Sequence, residues 1–498
     1  MKLALLLDGV RVIKLHQAAY GKAPLTQDVE IGAIRYDSRR VGHGDCFVAL
    51  RGTGVDGHRF IDQAVGQGAT AVVIDDDNAF NDSLALHLGV TKIVVPDTRR
   101  ALARLAANYF GHPSQRLTTV GVTGTNGKTT TAYLIRSIFE ASGATAGLVG
   151  TIEYLFGTRS SPASHTTPES LELQELLAQM VTAGCSAVAM EVSSHALHQS
   201  RVHGIDFSAA VFTNLTQDHL DYHGSMEEYF RAKRLLFDGL RADVPAIVNA
   251  DDPWGQVLAR EHQGMMITYG LRPGSAVTVR DSAVTLDGTT ITVTVDGTLV
   301  ELRSVLVGQF NVYNIVAAFS AGYALGIPLE AIVSGIGRLA AVRGRFERIR
   351  SPKGWTAIVD YAHTPDALEN CLRTIRALLP GDRPGRVITV FGAGGDRDRT
   401  KRPVMGAVAA SLSDVLILTS DNPRSEDPMT ILKEIASGIP PGVSFDVEVD
   451  RRHAIARALE RAQVGDVVLV AGKGHEEYQI IKSERLHFSD REIIEQFL

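Results

Sequence analysis

Apolar residues along this chain fall into two recurring patterns. Short, nearly continuous apolar runs rich in Val, Ala and Ile occur at residues 117–122, 186–192, 209–213 and 246–249. Similar runs return at 357–359, 387–391, 415–419 and 467–470. Each is followed by a polar or glycine-rich stretch and then by a segment of helical period, the signature of strands in a parallel sheet covered on both faces. Earlier runs at 46–50, 69–74 and 93–95 alternate with helix-like pieces such as 99–110, which predicts a smaller α/β region. Between residues 276 and 307 the period becomes two, with Asp287-Gly288 and Asp296-Gly297 as hairpin turns, so an antiparallel excursion is expected there. A helix carrying Asn311 and Asn314 should follow.

The expected architecture is therefore α/β in three domains. Residues 1–116 form a small N-terminal α/β domain, 117–344 a central mostly parallel sheet with helices on both faces, and 345–498 a C-terminal Rossmann-like domain. A chain of 498 residues suits about three domains of roughly 150 residues. The net charge of −6 with no basic block argues against a nucleic-acid partner. Cys46, Cys185 and Cys371 form no C-x-x-C pair, so a disulfide framework and a zinc site are not expected and a reducing cytoplasm fits. The apolar run near the N-terminus is too short for a signal segment, and no apolar stretch approaches the roughly 18 residues of a membrane span, so a soluble cytoplasmic protein is predicted.

One stretch carries specific chemistry. Gly121-Val-Thr-Gly-Thr-Asn-Gly-Lys-Thr-Thr-Thr131 joins a predicted strand to a helix opening at about Lys128. Glycines let backbone N–H groups approach an anion, the helix dipole points its positive end at it, Lys128 adds a full charge and the Thr129 hydroxyl can hold Mg²⁺. The ligand this predicts is a nucleoside triphosphate, although the spacing from Gly121 to Gly127 is one residue longer than the common phosphate-loop pattern.

Polar residues cluster after the other strands, on the edge where open α/β sheets bind ligands. Glu191 and His219 fall there and would suit Mg²⁺, while each taken singly also reads as a structural strand-end or loop residue. The two histidines at 219 and 223 have no third partner at zinc spacing. By position alone, Lys233 reads as a solvated helix lysine. Asp421-Asn-Pro-Arg424 reads as a strand-to-helix turn whose Arg424, with Arg397, could grip a carboxylate, while Glu476 could meet an ammonium. Such a pocket would take a small zwitterion.

These stretches together resemble the Mur ligase family along essentially the whole chain. The matching blocks are Thr123-Gly-Thr-Asn-Gly-Lys-Thr-Thr130, Met190-Glu-Val-Ser-Ser-His195, Thr213-Asn-Leu with Asp218-His-Leu-Asp-Tyr-His223, Asp360-Tyr-Ala-His-Thr-Pro-Asp366, Gly394-Gly-Asp-Arg-Asp398, Asp421-Asn-Pro-Arg424 and Gly472-Lys-Gly-His-Glu476. The resemblance implies ATP-driven amide formation between the D-glutamate γ-carboxylate of UDP-MurNAc-L-Ala-D-Glu and meso-diaminopimelate, with Mg²⁺, in peptidoglycan synthesis. It implies that Gly124, Thr125, Asn126, Gly127, Lys128, Thr129 and Thr130 hold ATP together with Asn311 and Arg345. Thr129, Glu191, His219 and a carbamylated Lys233 would hold Mg²⁺, with Lys128, Lys233, Glu191 and His219 serving catalysis. Ser38, Thr166, Thr167, Ser193, Gln199 and Arg201 match positions for the UDP-sugar dipeptide. Arg397, Asp421, Asn422, Pro423, Arg424, Gly472 and Glu476 match the diaminopimelate pocket, where Arg424 distinguishes this amino acid from lysine. His165 and Thr53-Gly54-Val55 depart from the family pattern on the UDP-sugar side. A monomer without membrane or nucleic-acid partners is expected. The alternatives are a lysine-adding or folylpolyglutamate-type ligase of the same family, or a nucleotide switch that ligates nothing.

Overall fold

A computed structural model describes residues 1–17, 29–52, 54–285, 287–379 and 385–498. Thr53 lies outside the described residues. The chain divides into two compact units. The first comprises Met1–Thr119, Thr145–Thr151 and Leu155–Ser208, and the second Val120–Ala144, Ile152–Tyr154 and Ala209–Leu498.

The first unit opens with a five-stranded sheet in the order Lys14–His16, Thr91–Val94, Ala71–Ile74, Cys46–Val48, Ile34–Arg35. All of its pairings are parallel except the first. Alternate residues of each strand serve opposite faces: Cys46, Val48, Ala71, Val73 and Ile93 enter one apolar core, and Phe47, Val72, Ile74 and Val94 the other. That is why an unbroken apolar run, rather than an alternating one, marks a sheet covered on both sides. Farther along, Ala146–Val149 pairs in parallel with Ala187–Glu191, and a helix at Ser170–Thr182 connects that region. Arg159–Pro162 is largely exposed and polar, so that strand carries no apolar signature in the sequence.

In the second unit, residues 120–123 of the strand before the glycine loop pair in parallel with Ala209–Phe212, which pairs with Ala246–Asn249, then Met266–Gly270, then Val277–Thr285. Val277–Thr285, Gly288–Val295 and Thr298–Ser304 form the expected antiparallel excursion. The helix Gln309–Ala324 is apolar around nearly its whole circumference and correspondingly buried. Its buried Asn311 and Asn314 lie three residues apart, hence on one face, and that helix packs on the loop helix Lys128–Ala141.

The C-terminal part of this unit has a six-stranded sheet ordered Glu347–Arg350, Thr356–Asp360, Val467–Ala471, Val387–Phe391, Val415–Leu418, Asp446–Val447. Only the first pairing is antiparallel. Ile358, Leu469, Phe391 and Leu418 face one core while Val359, Val468, Val390 and Ile417 face the other. The parallel strands all end at the same edge, so Asp360, Gly392, Asp421 and Gly472 emerge together. A two-stranded hairpin, Tyr478–Ile481 with Glu484–His487, had no counterpart in the sequence reading. Among the described residues no helix is long and apolar enough to cross a membrane, and Cys46, Cys185 and Cys371 are free and buried.

Candidate functional site

The glycine loop turns on two residues that tolerate no side chain. Gly124 has φ +149° and Gly127 φ +87°. A Cβ on Gly124 would strike Thr213 Oγ1, and one on Gly127 would strike Asn314 Oδ1. Positive φ and lack of space together make glycine obligatory. The loop is braced by the next strand end. Asn126 N donates to Asn214 Oδ1 (2.9 Å), Thr213 Oγ1 donates to Asn126 O (2.6 Å), and Thr125 N donates to Asn214 O (2.9 Å). Its N–H groups are thus pre-organised at the start of the Lys128–Ala141 helix. Lys128 Nζ arches over the loop, donating to the carbonyls of Gly124 (2.8 Å) and Thr125 (2.7 Å).

Lys233 is not the solvated lysine that its position suggested: it is 1% exposed. Its helix, Met226–Asp238, turns the residue inward, with Nζ 4.5 Å above the Tyr229 ring and donating to Gly124 O at 2.7 Å. Burial, and secondarily the charge of Lys128, drive its pKa well below 10.5. Tyr229 shares a hydrogen bond with Thr125 (3.3 Å), and its ring lies 6.1 Å from that of His219. His219 therefore sits beside the loop, its Nε2 3.4 Å from Asp218 Oδ2. Burial pushes the Asp218 carboxyl up, but His219, His363 and Lys401 outweigh it and leave the group below the ordinary carboxylate range.

The C-terminal sheet meets the loop through particular contacts. Asn126 Nδ2 donates to Asp366 Oδ2 at 2.8 Å. Asp366 is placed by Pro365 in the first turn and by Thr364, whose hydroxyl caps the helix Pro365–Leu378. Arg345 Nη2 donates to Thr129 Oγ1 at 3.0 Å, and its guanidinium lies 4.7 Å over the Tyr361 ring. Arg345 and Asn311 line a cavity of ≈ 310 Å³ together with Val307, Val342, Phe346 and Arg348. The two residues expected to touch nucleotide beyond the loop are thus brought together, and the Nε of Arg345 is buried without a hydrogen-bond partner. Asn311 Nδ2 donates to Val307 O (2.9 Å) and its Oδ1 accepts from Asn314 (2.9 Å).

At the outer edge of the same sheet, the loops at 394–397, 421–424 and 472–476 converge. Arg424 Nη1 donates to Gly395 O at 2.7 Å. A Cβ on Gly394 would lie 3.0 Å from Arg424 Nη1 and 3.8 Å from Arg397 Cγ, so both arginines flank this glycine. Arg397 is exposed, with Nη1 donating to Asp396 O at 3.0 Å. Pro423 carries the chain into Arg424, and the would-be Cβ of Gly395 meets the Pro423 carbonyl. Asn422 Nδ2 donates to Glu476 Oε2 at 2.8 Å. Gly472, φ +114°, is fastened by its N–H to Asp360 O at 3.0 Å. Burial first, then the neighbouring Asp421, raises the Glu476 pKa. Asp421 is also buried, but Lys473 and Arg451 overcome that cost and keep it low.

In the first unit, Glu191 is buried and accepts from Thr151 N (2.7 Å) and Thr151 Oγ1 (3.0 Å). Thr167 Oγ1 donates to Glu191 O (2.8 Å) and accepts from Ser193 N (3.1 Å), while Thr166 Oγ1 is 3.0 Å from Thr151 Oγ1. Arg201 donates to Thr167 O (2.8 Å) and Gln199 Oε1 (2.7 Å), and pairs with Glu169 at 2.8 Å. Five of the six residues expected on the UDP-sugar side thus form one network with Glu191. Ser38 belongs to a different one, its hydroxyl donating to Gln63 Oε1 at 2.9 Å. His165 is exposed.

Thr213, Asn214, Asp366 and Lys473 brace these loops as well, though their residue types alone do not mark them as site residues. All lie inside the quoted blocks, but nothing in their spacing reveals which loop each one braces. The described residues contain no group of three or more His, Cys, Asp or Glu arranged to hold a metal. The set expected around Mg²⁺ contains only two residues of those types, Glu191 and His219.

Comparison with known proteins returns three segments in the same order. Residues 30–110 match the Mur ligase family, catalytic domain; 122–322 the Mur ligase middle domain; and 344–474 the Mur ligase, glutamate ligase domain. A Gloeobacter violaceus protein named UDP-N-acetylmuramoyl-L-alanyl-D-glutamate–2,6-diaminopimelate ligase is 50% identical over 93% of this chain and 93% of its own. Its namesake in Geobacillus kaustophilus is 47% identical over 93% and 94%. A solved structure of an enzyme with the same name has TM-score 0.67 and 33% identity, covering 96% of each chain. Since that similarity runs through the glycine loop, the strand-end clusters and the arginine-bearing edge alike, the chain belongs to the Mur ligase family.

Proposed function

We propose that this protein is the ATP-dependent ligase that joins meso-2,6-diaminopimelate to the D-glutamate γ-carboxylate of UDP-MurNAc-L-Ala-D-Glu, in the cytoplasmic stage of peptidoglycan synthesis. The observation that carries the choice of amino acid is the convergence of Arg424, Arg397 and Glu476 on one sheet edge. A guanidinium pair answers the second carboxylate of diaminopimelate, which lysine lacks, and Glu476 answers an ammonium.

The loop suits triphosphate because the positive φ of Gly124 and Gly127 turns the chain tightly into the N-terminus of the helix Lys128–Ala141, with Lys128 poised above the turn. Mg²⁺ is a hard cation that prefers oxygen, which Thr129 Oγ1 and the Glu191 carboxylate offer, with His219 as a further ligand. As an amine Lys233 offers none, but its depressed pKa makes the neutral form accessible. That amine can add to CO₂, forming an N–C bond and releasing a proton, and the resulting carbamate is an oxygen ligand. When bound, Mg²⁺ would neutralise phosphate charge at Thr129, Glu191, His219 and the modified Lys233.

Lys128 and the loop N–H groups stabilise charge on the transferring phosphoryl group as the substrate carboxylate attacks the γ-phosphorus and the bond to ADP breaks. The acyl phosphate that results carries a good leaving group. The free amine of diaminopimelate then forms the new C–N bond, phosphate departs with the C–O bond electrons, and the nitrogen loses a proton. Arg397, Arg424 and Glu476 hold the amine donor in place, so orientation contributes much of the acceleration. Thr166, Thr167, Ser193, Gln199, Arg201 and Ser38 are assigned to the UDP-sugar dipeptide.

The direct test is ADP release by the purified protein given ATP, Mg²⁺ and UDP-MurNAc-L-Ala-D-Glu. Release should depend on diaminopimelate and be weak with lysine or glutamate. Equal rates with and without any amino acid would identify a nucleotide switch instead, and a preference for lysine would identify the lysine-adding branch.

A further inference from the structure

Lys473 is fully buried, yet its ammonium has company. Nζ lies 3.0 Å from Asn422 Oδ1, 3.3 Å from Glu476 Oε2 and 3.4 Å from Asp421 Oδ1. An ammonium has three N–H donors, and here three acceptors meet them. The Tyr478 ring closes the remaining side, its centroid 5.7 Å from Nζ. With its donors committed and no exposed surface, Lys473 acts on a substrate only through its neighbours. Those neighbours are the two loops that carry the amino-acid pocket. Asn422 Oδ1 also accepts from Ile480 N (2.9 Å), and Ile480 O in turn accepts from Arg424 N (3.1 Å), so the lysine sits at the junction of the arginine loop and the Glu476 loop.

We propose that Lys473 is a positioning residue for the amino-acid substrate: it holds Glu476 in place and keeps it ionised beside Asp421, so that the cluster of Asp421, Glu476 and Lys473, apart from the two arginines, presents one net negative charge to an ammonium group. This rests on the functional reading above. Two carboxylates and one ammonium sum to −1, whereas without the lysine two buried anions would share the site. Such a pair relieves its repulsion by taking up a proton, and a neutral Glu476 loses its attraction for an ammonium. The influences on Glu476 divide into two opposing sets. Burial first, and then Asp421, favour the protonated carboxyl. Lys473 and the Asn422 amide favour the ionised one. The Arg451 guanidinium is already committed to Asp490 at 2.7 Å.

The test compares wild type, Lys473→Met and the double variant Lys473→Met/Asp421→Asn by ADP release, measuring KM for diaminopimelate and for ATP between pH 7 and 9. In Lys473→Met the KM for diaminopimelate should rise roughly tenfold or more at pH 7 and recover as pH increases, because the shared proton is then lost. KM for ATP should stay within about twofold, since loss of a charge-assisted contact in this pocket does not touch the phosphate loop. The double variant, restored to one net negative charge, should regain much of the lost affinity and should fold even if the single variant does not. A rise that is the same at every pH, an equal rise for ATP, or a folded double variant no better than the single one would overturn the role of Lys473. Wild-type protein indifferent to diaminopimelate would overturn both this role and the functional reading.

Discussion

Arg424 offers the sharpest perturbation because its side chain and its backbone do separable work. The residue has φ +52°, a left-handed conformation that costs an L-residue about 1–2 kcal/mol. That conformation is imposed from outside the side chain: Arg424 N donates to Ile480 O (3.1 Å) and its carbonyl accepts from Lys482 N (2.7 Å), which docks the loop on the C-terminal hairpin. Arg424→Ala should therefore leave the loop where it is and remove only the guanidinium, with its bond to Gly395 O. The fold loses about 1 kcal/mol from that bond. The substrate loses a charge-assisted contact worth about 1.5–3 kcal/mol, so KM for diaminopimelate should rise roughly 10- to 150-fold. Arg424→Gly should lose the same affinity yet be more stable than Arg424→Ala, because glycine adopts positive φ without the steric penalty. Steady-state ADP release with diaminopimelate and ATP varied separately, beside thermal melts of both variants, checks each part. Equal increases in the two KM values, or an Arg424→Gly variant less stable than Arg424→Ala, would refute the reasoning.

Gly127→Ala should abolish measurable ADP binding by titration calorimetry, and Gly127→Ala/Asn314→Ala should not restore it, because removing the clash leaves the φ of +87° unsatisfied. Lys233 has a folded-state pKa well below its unfolded 10.5, owing to burial and then to Lys128, so the folded protein binds fewer protons through it than the unfolded chain does. Its contribution to stability must rise with pH from the depressed value up to the ordinary one. Lys233→Met should flatten that rise in denaturant titrations run across pH, and should eliminate ligase activity. Arg451 and Asp490 form a pair with 0% side-chain exposure on either partner. Arg451→Met should cost about 3–5 kcal/mol in urea unfolding by stranding the carboxylate, and Arg451→Met/Asp490→Leu should recover a large part of it.

How far each feature could be read from the chain depended on the range of the interaction behind it. Strands such as Val387–Phe391 and Val467–Ala471 announced themselves because burial on two faces calls for apolar residues at nearly every position. The glycine loop was equally plain, since positive φ and close anion approach call for glycine at fixed offsets within one short segment. The hairpin at 288–304 followed from period-two alternation and Asp-Gly turns. The exposed strand Arg159–Pro162 and the hairpin Tyr478–His487 had no such mark. Their pairing depends on partners rather than on an apolar face.

By itself the chain determined its α/β class, the phosphate loop and the polar clusters that follow each strand, because these are local consequences of backbone geometry and burial. Only the tertiary structure decided the state of the charged groups. Met226–Asp238 reads as an amphipathic helix whichever way Lys233 points, and packing alone carries that amine under the loop to Gly124 O, where water cannot stabilise its charge. Likewise Lys473 reaches Asp421 and Asn422 only when strands ending at 418 and 471, separated in sequence by the helices between them, align their carboxyl ends. Charge pairing across such separations leaves no periodicity in the sequence, and it is set by which strand ends share an edge.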